Sequence, residues 1–241
     1  MSKTNPYKPV LPKLKQVLEK LNCPPVTDLC SGGGGPWLDI CRQLEVQYNY
    51  PIAVTLTDKY PNLEAFRRVS KASNGSISHL EYPVDATDVP SHLKGFRTLF
   101  AGFHHLKPGA AKKVLQDAIE NGEGIGIFEV TERSARAVAP TPLAVPLLFA
   151  FVLLATPFLR PFKWTRLVWT DMVPVIPMFV IWDAMVSNLR TYSFEEVKRL
   201  IEELGNEEYT WEFGHFPSRV VPTVSYILGY PARPSADVRQ V

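Results

Sequence analysis

Val26-Thr27-Asp28-Leu29-Cys30-Ser31-Gly32-Gly33-Gly34-Gly35-Pro36-Trp37 is the stretch that decides the fold. A buried strand runs here into four consecutive glycines and then into a helix. Residues without a Cβ let the backbone bend sharply, take positive φ and approach a ligand closely. Pro36 has a fixed φ and no N–H to lose, which suits the first helical position. A strand, a glycine turn and a helix in that order hold a cofactor.

Reading outward, Trp37, Leu38, Ile40, Cys41 and Leu44 recur near helical spacing through Gln47. An apolar strand from Ile52 to Thr57 then ends at Asp58 and completes a βαβ unit. Pro61-Asn62 opens a polar helix through about Ser70, and Ile77 to Val84 predicts a third strand stopping at Asp85-Ala86. Phe96 to Phe103 predicts the fourth strand, Pro108 to Glu120 a helix stopped at Asn121-Gly122, and Ile125 to Val130 the fifth strand. Such alternation predicts an α/β fold: a mostly parallel sheet with helices on both faces and ligands at the carboxyl ends of the strands. The C-terminal part departs from it. Ser193-Phe194-Glu195-Glu196 is a capping box that opens an amphipathic helix ending near Gly205. Tyr209 to Phe213 and Thr223 to Leu228 follow with no helix between them, so they should pair antiparallel at one end of the sheet.

A length of 241 residues and the lack of a linker fit one domain over 1–241. Lys plus Arg at 26 against Asp plus Glu at 24, with the basic residues scattered, argues against a nucleic-acid partner. Cys23, Cys30 and Cys41 are odd in number and lack Cys-x-x-Cys spacing, so neither disulfides nor a metal site is expected. A reducing, cytoplasmic setting fits, and Met1 to Lys15 shows no secretory pattern. Two rival nucleotide motifs fail in register. A dinucleotide fingerprint counted from Gly32 or Gly33 needs glycine where Trp37 or Leu38 stands, and a phosphate loop needs Gly-Lys-Ser/Thr where Gly35-Pro36-Trp37 stands.

Over roughly residues 10 to 230, apart from an insertion, the chain resembles the class I S-adenosylmethionine-dependent methyltransferases. The resemblance implies a Rossmann-like, mostly parallel seven-stranded sheet with an antiparallel last pair, and S-adenosylmethionine as cofactor. It places Asp28, Cys30, Ser31, Gly32, Gly33 and Gly34 around the methionine part, with Cys30 standing where the family has its first motif glycine. It assigns Asp58, beside Lys59 and Tyr60, to the ribose hydroxyls, and Asp85 with Ala86 to the adenine. A carboxylate accepts both protons of a vicinal diol, which supports Asp58 without the family name, although Asp at such positions also caps helices and turns. The family's usual place beside the methyl group is Gly102-Phe103-His104-His105-Leu106-Lys107-Pro108. Phe103 is expected to pack against the cofactor, and His104 or His105 to be a general base, unless the pair is a structural loop. Trp37, Glu129, Asp183 and Arg190 are candidates to face the substrate. Glu129 and the following Thr131-Glu132-Arg133-Ser134 equally read as a solvated loop, and Asp183 and Arg190 as an ion pair or helix-end charges.

The loop after the fourth strand lacks the Asp/Asn-Pro-Pro-Tyr/Phe and Pro-Cys patterns of base-methylating relatives, which favours a hydrophobic small-molecule or lipid-like substrate. The most individual part is the apolar insertion, 137–192. Ala137 to Leu159 is 23 residues without a charge, divided by Pro140, Pro142, Pro146 and Pro157, and Met172 to Trp182 is a second uncharged run. A single membrane crossing would strand the last helix and strands on the far side from their sheet, and the second run is too short to return. Three readings stay open: a hydrophobic cap over the cleft, an element lying in one leaflet, and a homodimer interface. Trp164, Trp169 and Trp182 with Arg160, Lys163 and Arg166 suit a membrane–water boundary as well as they suit a core. The alternative to an enzyme is a membrane-associated binding or scaffold protein with this fold and no turnover.

Overall fold

A computed structural model of the chain describes residues 5–130, 141–159, 162–216 and 223–232. Thr131-Glu132-Arg133-Ser134, the run from Ala137 to Pro140, and Arg160 lie outside the described residues. Contacts divide the chain into two compact units, one of Met1–Thr131 with Phe194–Val241 and one of Glu132–Ser193.

The first unit is a seven-stranded sheet in the order β3-β2-β1-β4-β5-β7-β6. Its strands are β1 Val26–Asp28, β2 Val54–Leu56, β3 Ile77–His79, β4 Phe96–Phe100, β5 Ile125–Glu129, β6 Tyr209–Phe216 and β7 Val224–Pro231. The first five run parallel. β7 lies antiparallel to β5 and to β6, as the missing helix between the last two strands predicts. Every residue of β1, β4 and β5 is buried, the pattern of central strands covered by helices on both faces. The helices of this unit are α1 Leu11–Lys20, α2 Trp37–Tyr48, α3 Leu63–Ala72 and α4 Pro108–Glu120, with a later one, Phe194–Glu202, directly after Ser193. Leu14, Val17 and Leu18 of α1 join Trp37, Ile40 and Leu44 of α2 in the core, against Phe100 and Phe128 stacked at 4.8 Å.

Three expected boundaries move, each for a local reason. The helix after the glycines starts at Trp37, and Pro36, with φ −87° and ψ 3°, is its cap. The third strand stops at His79. Pro83 has no N–H to extend a ladder, so Asp85 lies on a separate turn that bridges to Asp88. The fourth strand ends at Phe100 because Ala101 turns left-handed, with φ 49°, and Phe103–His105 then forms a 3₁₀ turn.

The described part of the second unit is built of helices joined by short turns. It contains α5 Thr141–Ala155 with a 3₁₀ turn at Thr156–Phe158, α6 Trp164–Leu167 running into a π turn at Val168–Met172, and α7 Val175–Arg190. The Phe194–Glu202 helix of the first unit is thus α8. Within the second unit α5 packs against α7. Among the described residues no single helix is long and apolar enough to cross a membrane, and Trp164–Met172 and Val175–Arg190 meet at 75°. Pro174, at that break, has no N–H for the helical ladder.

Candidate cofactor site

The glycine turn lies where β1 ends, at the point of the sheet where strand order reverses between β1 and β4, the usual position of a crevice in such sheets. Its backbone is sewn to the neighbouring strand ends. Thr57 N and Thr57 Oγ1 both donate to Asp28 O at 2.9 Å, and Ser31 N donates back to Thr57 O at 2.9 Å. Gly32 N donates to Asp58 Oδ2 at 2.8 Å, and Tyr60 N to Asp58 Oδ1 at 2.8 Å. Asp58 therefore fixes the turn and keeps its half-exposed carboxylate at the rim. Each of its oxygens retains a second lone pair for a hydroxyl.

Cys30 answers the question raised by the missing motif glycine. It adopts φ 56°, the conformation a glycine would supply, so the backbone makes the turn with a side chain present. A non-glycine residue there carries strain of the order of 1–2 kcal/mol, and such outliers gather at ligand sites. Ala101 is a second one, on the adjacent strand end. Gly102 packs against Cys30; a Cβ on Gly102 would lie 3.2 Å from Cys30 Cβ. Burial first, and then the charges of Asp58, Asp28 and Asp85, push the Cys30 thiol up to about 12, so it stays protonated and is no nucleophile.

The glycines divide by role. Gly34, with φ 102°, is buried against α3, where a Cβ would meet Val69 Cγ2 at 2.7 Å. Gly32 and Gly33 are exposed, and a Cβ on either would meet nothing within 4 Å. Their open side is the room a ligand needs, and with Asp58 beside it the turn fits a cofactor that presents a vicinal diol.

Asp28 is placed differently from the expectation of direct cofactor contact. It is 1% exposed, and its oxygens accept from Thr98 Oγ1 at 2.7 Å and Ser31 Oγ at 2.6 Å. Burial raises its pKa to about 6; Ser31, Thr98 and Trp37 oppose the rise and the charge of Asp58 adds to it. Trp37 helps only through proximity, since its Nε1–H reaches no acceptor.

Asp85 sits at the edge of the same rim, because Val84 N donates to Asp58 O at 2.9 Å. Lys59 Nζ pairs with Asp85 Oδ2 at 2.7 Å, while Thr87 N and Oγ1 donate to Oδ1. Lys59 foremost, then Thr87, hold the carboxyl down at about 2. A ligand amine at Asp85 would share Oδ2 with Lys59. Ala86 beside it is buried.

On the β4–β5 side, His104 Nδ1 lies 2.7 Å from Glu129 Oε2, and Glu129 Oε1 accepts from Phe103 N at 2.8 Å and His104 N at 3.2 Å. Glu129 is thus a buried anchor of the 3₁₀ turn, which corrects both its reading as a solvated loop and its exposure to substrate. His104 is 5% exposed, and His105, exposed, lies against it at 4.2 Å between ring centroids. The Phe103 side chain is buried. Trp37, expected to face substrate, is wholly buried in the core, edge-on to Phe100 at 5.5 Å. Asp183 and Arg190 are exposed on α7 in the other unit and stand seven positions apart, beyond the spacing of helical ion pairs.

Sequence reading missed the N-terminal contribution. A cavity of about 520 Å³ is lined by Tyr7, Gly35, Pro36, Arg42, Phe100 and Ala101, with Asn5 and Asp39 among its other walls. Asn5 Nδ2 donates to Asp39 Oδ2 at 2.6 Å and fastens the N-terminal segment to α2. Tyr7 is edge-on to Phe100 at 4.8 Å, and its phenol is held protonated by burial and then by Glu129 and Asp28. Nothing local in Asn5-Pro6-Tyr7 marks these residues as part of a site; they reach it through packing.

No protein-family model and no curated protein matches the chain. Two crystal structures of the methyltransferase domain of bacterial CtHen1 share 12% and 11% identity with it, both at a TM-score of 0.53. Each alignment covers 94% of this chain, and they cover 100% and 99% of the two domains respectively. An O-methyltransferase family protein from Burkholderia thailandensis aligns over 92% of this chain and 56% of its own, at 14% identity and a TM-score of 0.48, too distant to add to the argument. The strand order and the likeness to the CtHen1 domain together show that this chain has the Rossmann-like fold of the class I methyltransferases.

Proposed function

We propose that the protein is an S-adenosylmethionine-dependent methyltransferase acting on a hydrophobic small molecule or lipid-like substrate. The observation that carries this reading is the open glycine turn clamped by Asp58, through the Gly32 N–H, at the switch point of the sheet. The methionine part would lie over Gly32 and Gly33, the ribose hydroxyls on Asp58, and the adenine toward Asp85 and Ala86. When bound, the cofactor supplies an electrophilic methyl on a sulfonium.

The protein's share is then placement, exclusion of water and removal of a proton from the acceptor where it has one. The cavity walled by Tyr7 and Phe100 is within the usual size of small-molecule sites and supports an acceptor with an apolar body. Glu129 holds the His104 ring through Nδ1, which supports it over the exposed His105 as the base. The left-handed Cys30 weighs against a scaffold that has lost its cofactor turn, since the backbone keeps the turn's geometry.

Thermal unfolding and calorimetry with S-adenosylmethionine, S-adenosylhomocysteine and NAD test the reading. A ligand specific for the folded state adds about 2.7 kcal/mol at 100 times its Kd. Stabilisation by the first two and not by NAD is expected; the reverse pattern refutes it. Transfer of labelled methyl groups into a lipid or small-molecule extract then tests turnover, and binding without transfer would leave the scaffold.

A further inference from the structure

The helical insertion partitions its side chains the wrong way round for water. Among the described residues, 21 large hydrophobic side chains stand exposed, and 17 of them lie between Leu147 and Leu189. In the same stretch the buried residues are Thr156, Thr170, Pro177 and Ser187, with Thr191 just beyond, and none is a large hydrophobic. The threonine hydroxyls are satisfied by carbonyls four residues back, Thr156 on Val152, Thr170 on Arg166 and Thr191 on Ser187, at 2.7 to 2.8 Å. Small hydroxyl residues inside and leucine, phenylalanine and tryptophan outside is the arrangement of helices whose solvent is lipid.

The exposed side chains are ordered. Leu147, Phe151, Leu154 and Phe158 follow one another along α5 and its 3₁₀ extension, and Met178, Trp182, Met185 and Leu189 along α7. Both sets fall at i, i+4, i+7 and i+11, one continuous stripe per helix. Between them Trp164, Trp169 and Met172 are exposed beside Lys163 and Arg166.

Geometry limits how such an element meets a bilayer. Helices of 15 and 16 residues are about 22–24 Å long, short of the roughly 30 Å hydrocarbon core. β5 precedes the insertion and pairs residue by residue with β7, which follows it, so the chain enters and leaves on the same side. Neither helix can cross alone. Trp164–Met172 and Val175–Arg190 reach spanning length only together, across their 75° bend, and a crossing by that pair would leave the following helix on the far side from its sheet, so a wedge in one leaflet fits the chain's return.

We propose that residues 141–190 embed in a single leaflet of a membrane carrying anionic lipids, with Trp164 and Trp169 at the interface and Lys163 and Arg166 on the headgroups. Charge complementarity selects this occupant over a second copy. From 141 to 190 the charged residues are Arg160, Lys163, Arg166 and Arg190 against Asp171 and Asp183. A two-fold dimer faces this patch with its own copy, so the excess of basic over acidic residues meets the same excess, whereas anionic headgroups attract it. The inference goes beyond methyl transfer and stands without it.

The test is co-sedimentation of the full chain with phosphatidylcholine vesicles, with and without phosphatidylglycerol, alongside quenching of tryptophan fluorescence by brominated lipid. Binding to the anionic vesicles, weakened severalfold by salt, is expected. Quenching should vanish when Trp164, Trp169 and Trp182 are all replaced by Phe, because the two remaining tryptophans belong to the other unit, Trp37 buried in its core and Trp211 half-buried on β6. Phe151→Glu with Trp182→Glu, at positions 65% and 66% exposed, should leave the unfolding midpoint unchanged and weaken vesicle binding by about tenfold or more. Failure to bind either vesicle, or binding that survives the double substitution, overturns the proposal. So does a dimer in lipid-free buffer that Phe151→Glu dissolves. Calorimetry with S-adenosylmethionine on the same preparations reads the glycine turn separately, so either reading can fail alone.

Discussion

Replacing Asp28 by Asn should make the protein more stable relative to the parent as pH rises. In the fold, burial pushes the Asp28 carboxyl up to about 6 from its ordinary 3.8. The folded state holds the proton more tightly than the unfolded chain, so stability falls as pH climbs through that window and is level outside it. At about 1.36 kcal/mol per unit of pKa, the ionised carboxylate lowers stability at neutral pH by about 3 kcal/mol relative to the protonated one. Some of the window lies in acid where other carboxylates also titrate; about 2 kcal/mol of it falls between pH 4.5 and 7.5. Asn keeps the cage: its oxygen can accept from Thr98 Oγ1, and its amide can donate to Ser31 Oγ, whose own hydrogen can turn to Asp28 O at 2.9 Å. The assay is urea unfolding of both proteins at pH 4.5 and 7.5, with the free energies compared as a double difference so that every other titrating group cancels. The variant should gain about 2 kcal/mol on the parent between the two pH values. A swing below about 0.5 kcal/mol would refute the claim that burial, more than the Ser31 and Thr98 hydrogen bonds, governs this carboxyl.

Four further outcomes follow from the site. Asp58→Ala loses the clamp on Gly32 N–H, a cost of about 1 kcal/mol to the apo protein, and should abolish most of the S-adenosylmethionine thermal shift. Gly33→Ala and Gly34→Ala should separate ligand room from folding. The first adds a methyl to open space and should change the unfolding midpoint little while weakening cofactor binding in calorimetry; the second drives a Cβ into Val69 and should cost about 2 kcal/mol or more in urea unfolding. Glu129→Ala strips the buried partner of His104 and two backbone N–H groups, so a loss of about 3 kcal/mol or more in urea unfolding is expected, against within about 0.5 kcal/mol for the exposed His105→Ala. A cationic cofactor near Asp28 should draw its pKa down and release protons on binding at pH 6, measured by calorimetry in buffers of different ionisation enthalpy.

What sequence can and cannot carry is clear from particular residues. The glycine turn, the strand order and the antiparallel last pair rest on local signals: residues lacking Cβ, period-two and helical runs, and a missing helix before the final strand. Asp58 was legible because it closes a strand inside a βαβ unit. Cys30 was not, because whether a side chain tolerates φ 56° depends on the backbone bonds that Ser31 and Thr57 make around it. Glu129 and His104 are 25 positions apart and meet only because β5 lies beside β4. Asp28 shows the limit most sharply. The strand pattern located it at the rim of a ligand crevice, yet Thr98 on the neighbouring strand turns it inward and burial pushes its carboxyl up to about 6. The insertion reverses the case. Its composition was plain from the sequence, but a core and a lipid-facing surface have the same composition. The placement of Thr156, Thr170 and Ser187 inside and Phe151, Trp164 and Trp182 outside is what supports the lipid-facing reading.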